Sequence, residues 1–77
     1  MSYGYTTRLV SLNKQANRFS LGVKLGKVCI KQEIPVAEVA SQLGVSRQTV
    51  YNWFIGTHEP HPDLNATIEE LLDSYSE

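Results

Sequence analysis

A single cysteine, Cys29, stands among the 77 residues, which excludes an internal disulfide and any paired-cysteine metal site. No apolar run approaches the ~18 residues that cross a bilayer. Nor does a basic-then-apolar leader follow Met1, so a cytoplasmic location is expected. The two histidines, His58 and His61, fall short of the three or four ligands that zinc requires. No metal and no cofactor is expected. Glu69 and Glu70 point in different directions on a helix, and no Ser/His/Asp or Cys/His set has a scaffold to orient it, so an enzyme is not expected. At this length folding buries only about 60% of the unfolded surface, enough for one small domain. The 42% hydrophobic and 19% charged content is that of a globular chain.

What the chain does have is segregated charge. The net charge is −1, which by itself argues against a polyanionic partner. Its distribution argues the other way. From Met1 to Lys31 there are six bases (Arg8, Lys14, Arg18, Lys24, Lys27 and Lys31) and no acid. From Glu59 to Glu77 there are six acids and no base. Such asymmetry points to an anionic partner at the basic end, or more plainly to a solvated N-terminus and a solubilising acidic tail.

Residues 2–16 hold Tyr3, Tyr5, Thr6 and Thr7, then Leu9, Val10 and Leu12. Thr and Tyr favour strand, but the alternation is weak. Residues 1–16 are therefore expected to form an arm with at most a short strand, and residues 17–77 the folded domain. A helix is predicted from about Asn17 or Ser20, either of which suits an N-cap. Leu21, Leu25 and Val28 mark one buried face, and Phe19, Val23, Gly26 and Ile30 form a second stripe. Lys24, Lys27 and Lys31 share a neighbouring face. Glycine inside a helix costs roughly 1 kcal/mol against alanine, so Gly22 and Gly26 mark either a loosely tolerated helix or packing against the arm or a partner chain. Cys29 is expected at the margin of the core.

Pro35 stops that helix and suits the start of the next, over residues 36–43, which Gly44 closes. Ser46 is an N-cap for a third helix over residues 47–55, ended by Gly56. Beyond the loop around Pro60 and Pro62, Asp63 or Asn65 caps a last helix carrying Leu64, Ile68, Leu71 and Leu72. Acids near its negative end should fray it. The expected fold is all-α, a small bundle of four to five helices.

Two short helices joined through a glycine turn, residues 36–55, have the form of a helix-turn-helix. Ala40 must be small where the helices cross, and Gly44 permits positive φ in the turn. Val39, Leu43, Val45, Val50 and Trp53 supply the shared core. The run VAEVASQLGVSRQTVYNW, with Gly56 and Pro60 after it and the helix from Leu21 before it, resembles the Cro and lambda-repressor-type (XRE-like) family of DNA-binding domains. The likeness covers residues 21–60.

That resemblance implies a second motif helix lying in the major groove, with two subunits on a pseudo-palindromic operator. Carried onto this chain, it makes Arg47, Gln48, Tyr51 and Asn52 the base-reading residues. Their chemistry agrees, because Arg pairs with guanine O6 and N7 while Gln and Asn pair with adenine N6 and N7. Backbone contacts are expected from Ser46, Thr49, Thr57, His58, Lys24, Lys27 and Lys31. Two places depart from the family: Pro35 and Val36 stand where relatives carry a Ser-Gln-like pair, and the loop after the reading helix, Thr57 to Glu59, is not basic. A homodimer is expected, through the arm, or in preference through Phe19, Val23 and Ile30 or through Leu64, Ile68 and Leu71. The function expected is a sequence-specific duplex-DNA-binding transcriptional regulator, a Cro-like repressor of phage or plasmid type, nucleoid-associated. Brevity without a ligand-sensing domain favours it. The alternative is a protein-binding helix-turn-helix module, antitoxin-like or host-factor-binding, that uses its acidic last helix.

Overall fold

In the computed structural model, which describes residues 5–76, five α-helices follow one another: α1 (Thr7–Gln15), α2 (Leu21–Gln32), α3 (Val36–Leu43), α4 (Arg47–Phe54) and α5 (Asn65–Tyr75). A 3₁₀ turn, Pro62–Leu64, leads into α5. No strand occurs among the described residues. The all-α bundle expected from periodicity is the fold observed.

The N-terminal segment corrects the expectation of an arm. Residues 7–15 are helical, begun by Thr6, whose hydroxyl accepts the Leu9 N–H at 3.1 Å. The centre of its buried face is a polar residue, Asn13, only 2% exposed, so the apolar pattern that marks an amphipathic helix is incomplete. Asn13 Nδ2 donates to the carbonyl of Phe54 at 2.6 Å and to that of Val23 at 3.3 Å. The Phe54 carbonyl ends α4, where no intrahelical donor remains. One amide therefore ties α1, α2 and α4 together. Tyr5, just before α1, is buried; its hydroxyl donates to the Ile34 carbonyl at 2.6 Å and its ring lies tilted 6.2 Å from Phe54.

Helix α2 is the central element, packed against α1, α4 and α5. The two stripes expected on it are the flanks of one buried face centred on Gly22, Gly26 and Cys29. Cys29 is wholly buried and not marginal. The glycines exist for close approach. A Cβ on Gly22 would stand 2.7 Å from Trp53 Cβ, and one on Gly26 2.7 Å from Asn13 Nδ2 and 2.8 Å from Phe54 Cγ. The neighbours thus include the N-terminal segment, as foreseen, and also α4. Ser20 is the backbone N-cap of α2, but its hydroxyl makes no cap bond and is buried without a partner. Asn17 instead accepts the Phe19 N–H within the preceding turn, at 3.0 Å.

The α3–α4 pair forms as its residues predict. Gly44 closes α3 with φ 69°, and Ser46 Oγ accepts the Thr49 N–H at 3.1 Å. Val39, Ala40, Val50 and Trp53 are buried, and so is Phe54, the largest side chain that is fully enclosed. Leu43 and Val45 pack at the margin. Neither Asp63 nor Asn65 caps α5; its N-cap position is Leu64, reached through the 3₁₀ turn. The helix continues past Asp73 to Tyr75, whose hydroxyl lies 3.5 Å from Glu38 Oε2 on α3.

Candidate nucleic-acid interface

Helix α4 buries Val50, Trp53 and Phe54 against α2, α3 and α1. At 3.6 residues per turn, the opposite side of α4 presents Gln48 and Asn52, flanked by Arg47, Tyr51 and Ile55. Arg47 and Gln48 are exposed, while Tyr51, Asn52 and Ile55 are half-buried. The structure therefore brings the four expected base-reading side chains onto the outward part of one eight-residue helix. Tyr51 packs partly against the core, so only part of its ring faces solvent.

Gln48 and Asn52 are already organised. Gln48 Nε2 donates to Asn52 Oδ1 at 3.1 Å, one helical turn apart. Among the described residues that leaves the Gln48 carbonyl oxygen, its second N–H and both Asn52 side-chain N–H groups unengaged, a set of donors and an acceptor matched to purine edges. The Asn52 backbone carbonyl accepts the N–H groups of Thr57 and His58 at 3.0 and 3.3 Å. The loop after α4 is thereby fixed to the helix it follows.

Ser46 and Thr49 are committed to the helix start, with their hydroxyls 2.8 Å apart. They remain at the rim of the outward face, with Thr57 and His58 exposed beside it. A groove of about 470 Å³ runs along this rim, lined by residues that include Thr49, Asn52, His58, Glu59 and His61. Its contribution was not foreseen, because it depends on how the proline-rich loop folds back and no periodicity marks that. His61 Nδ1 accepts the Asp63 N–H at 3.1 Å and lies 3.5 Å from the Asp63 carboxylate. Among the described residues no group of three or more His, Cys, Asp or Glu comes together as a metal site requires.

The lysines are placed elsewhere. Gly22 and Gly26 turn toward α4, and Lys24 and Lys31 fall about half a helical turn away on α2. Both are exposed on the side facing away from α4. Lys27 is half-buried, its Nζ 3.5 Å from the Asn13 carbonyl on α1. Lys24 and Lys31 do not flank the outward face of α4, and Lys27 lies toward α1. The reason is that the glycine face, and not either apolar stripe alone, sets the rotation of α2.

The apolar surfaces expected for a dimer are taken up internally in part. Val23 and Ile68 have no exposure and Leu71 has 9%. Ile30 and Leu64 are half-buried. Phe19 is 75% exposed, but it precedes α2 and lies under the Arg18 guanidinium, 5.3 Å from its ring centroid. The burial of Cys29, and then the nearby charge of Glu38, push its thiol up to about 12. It stays a neutral core side chain with no nucleophilic character at ordinary pH.

No helix among the described residues is long and apolar enough to cross a membrane. No curated protein and no solved structure matches the chain. Residues 28–54 match the family model of a homeodomain-like domain, from the middle of α2 through the end of α4. That match supports a helix-turn-helix of the DNA-binding kind, without singling out the Cro and lambda-repressor type.

Proposed function

We propose that this chain is a sequence-specific double-stranded DNA-binding regulator that lays α4 in the major groove. The observation that carries the reading is the outward face of α4, where Gln48 and Asn52 are held together by a hydrogen bond beside Arg47. Arg47 would read guanine, and the paired amides adenine. Ser46, Thr49, Thr57 and His58 rim that face and would position the phosphates. The finer form, a Cro-like repressor of phage or plasmid type working as a homodimer on a pseudo-palindromic operator, rests on the resemblance of residues 21–60. Of the apolar residues first considered for its dimer surface, Val23, Ile68 and Leu71 serve the chain's own core, while Phe19 stays exposed and Ile30 and Leu64 half-buried.

A protein-binding role for the same motif is the competing reading. One observation favours it: Arg47 is the only lysine or arginine on α3 and α4. Few phosphate contacts would then be made, and the salt slope, about −0.9 per phosphate neutralised, would be shallow.

Selection of bound sequences from random duplex DNA, at low and at moderate salt, tests the proposal. Enrichment of a motif that is lost on Gln48→Ala is the expected result. Absence of enrichment and of binding even at low salt would overturn it and leave the motif as a protein contact.

A further inference from the structure

The charge segregation along the sequence becomes a separation in space. Helices α2 and α5 pack on each other through their apolar faces. On α2 the side away from the core carries Lys24 and Lys31, with half-buried Lys27 at its edge toward α1. On α5 the side away from Ile68 and Leu71 carries Glu69, Glu70 and Asp73, all exposed. The two charged faces therefore point outward in different directions and do not meet. Among the described residues the one ion pair joins His61 to Asp63. None of those lysines or α5 acids has an ionic partner among the described residues.

The basic side is also shaped. Lys14 of α1 and Lys27 and Lys31 of α2 line a groove of about 210 Å³ together with Val10, Ile30 and Asn13. Its floor is apolar and its rim cationic. We propose that this groove receives the acidic face of α5 from a second copy of the chain, joining copies head to tail. Glu69, Glu70 and Asp73 meet the lysines, and half-buried Leu72, at the border of that acidic face, meets the Val10–Ile30 floor. A phosphate backbone would satisfy the lysines but leave that floor without an apolar partner. Lys31, which lines the groove, faces away from α4 and so away from a duplex lying on that helix.

The two surfaces differ, so the contact does not close on itself; each joined pair keeps one free groove and one free α5 face. The outward face of α4 is used by neither. Exposed ion pairs are individually weak and screened by salt. The association is therefore weak, with a dissociation constant on the order of 0.1 mM at low salt.

Sedimentation velocity of the full chain without DNA, at about 20 mM and about 500 mM salt, brackets the screening range. At low salt the average mass should climb with protein concentration, and at high salt it should return to that of the monomer. Lys14→Glu with Lys31→Glu, and separately Glu70→Lys with Asp73→Lys, should each weaken self-association at least about tenfold. All four positions are exposed, and circular dichroism checks that the helices persist. Mixing the two reversed variants should restore association. A chain that stays monomeric at low salt, reversed variants that assemble like the parent, or a mixture that stays dissociated each overturns the contact. So does a Lys14/Lys31 variant that loses duplex affinity while its sedimentation is unchanged, which would give the groove to DNA. Because DNA is absent from the sedimentation runs, the proposal can fail without touching the role of α4, and the reverse holds too.

Discussion

Single residues in this chain fail the rules of thumb for their type, and the failures locate the tight contacts. Alanine is a better helix former than glycine by about 1 kcal/mol, so propensity alone makes Gly22→Ala stabilising. The site says otherwise, because the added Cβ would sit 2.7 Å from Trp53 Cβ, 3.1 Å from its carbonyl oxygen and 3.2 Å from its Cα. Backbone atoms of a neighbouring helix cannot swing aside as a side-chain tip can. Gly22→Ala should therefore lose roughly 1–3 kcal/mol of stability by urea unfolding; a gain would mean that α2 and α4 lie farther apart than described. Cys29 makes a second residue-scale prediction. Its folded thiol is pushed from 9.0 to about 12 by burial and by Glu38, so the unfolded chain ionises first as pH rises. The stabilising contribution is whole below about pH 9 and is lost progressively toward pH 12. Burial and Glu38 also push the Tyr75 hydroxyl to about 12, but from 10.0, so the onset near pH 9 belongs to the thiol. The melting temperature should fall there with a steeper slope in the parent than in Cys29→Ala, and equal slopes would place the thiol in solvent.

Elements become legible in the sequence to the extent that their buried faces are apolar and periodic. Helices α3 and α4 have such faces, together with a glycine that closes one and a serine that opens the other. Their bounds follow from the residues almost to the position. Helix α1 has Asn13 at the centre of its buried face, and an asparagine inside a helix ordinarily argues against one. Only the carbonyls of Val23 and Phe54, far along the chain, give it a reason to be there. Helix α2 was legible as a helix, but not in rotation, because glycine carries no apolar signal and two of the three residues at its buried centre are glycines. That rotation decided where the lysines point, which is why the outward face of α4 could be anticipated while the side of the molecule that the lysines occupy could not. The same face carries an element-scale prediction. Gln48→Ala and Asn52→Ala should each cost about 1–3 kcal/mol on a selected site and little on random DNA. Since Gln48 Nε2 donates to Asn52 Oδ1, removing either one disorders the other, and the double variant should cost less than the two combined. Competition titrations measure all three, and strict additivity would mean that the amides act independently.

At the scale of the whole molecule, how copies are arranged on DNA depends on where the surfaces sit. A two-fold dimer uses the same patch on both subunits and turns their reading helices in opposite senses, so its operator is an inverted repeat with half-sites about one helical turn apart. That arrangement needs a self-complementary surface, and of the apolar residues first considered for it Val23, Ile68 and Leu71 lie inside the monomer, which leaves exposed Phe19 and half-buried Ile30 and Leu64. The two charged surfaces are complementary and not identical, a lysine-lined groove between α1 and α2 and an acidic face on α5. Each copy joined through them is related to the next by one repeated operation, so successive α4 helices keep the same sense along a duplex. The sites recovered by selection should then be direct repeats, and the preference for a second repeat should vanish in Lys14→Glu with Lys31→Glu while the single motif is still bound. It should vanish with added salt as well, since the contact between copies is ionic. Recovery of inverted repeats would keep α4 as the reading helix but require a two-fold surface in place of the head-to-tail one. Recovery of isolated single motifs, at protein concentrations where the free chain self-associates, would mean that the two kinds of contact cannot be made at once.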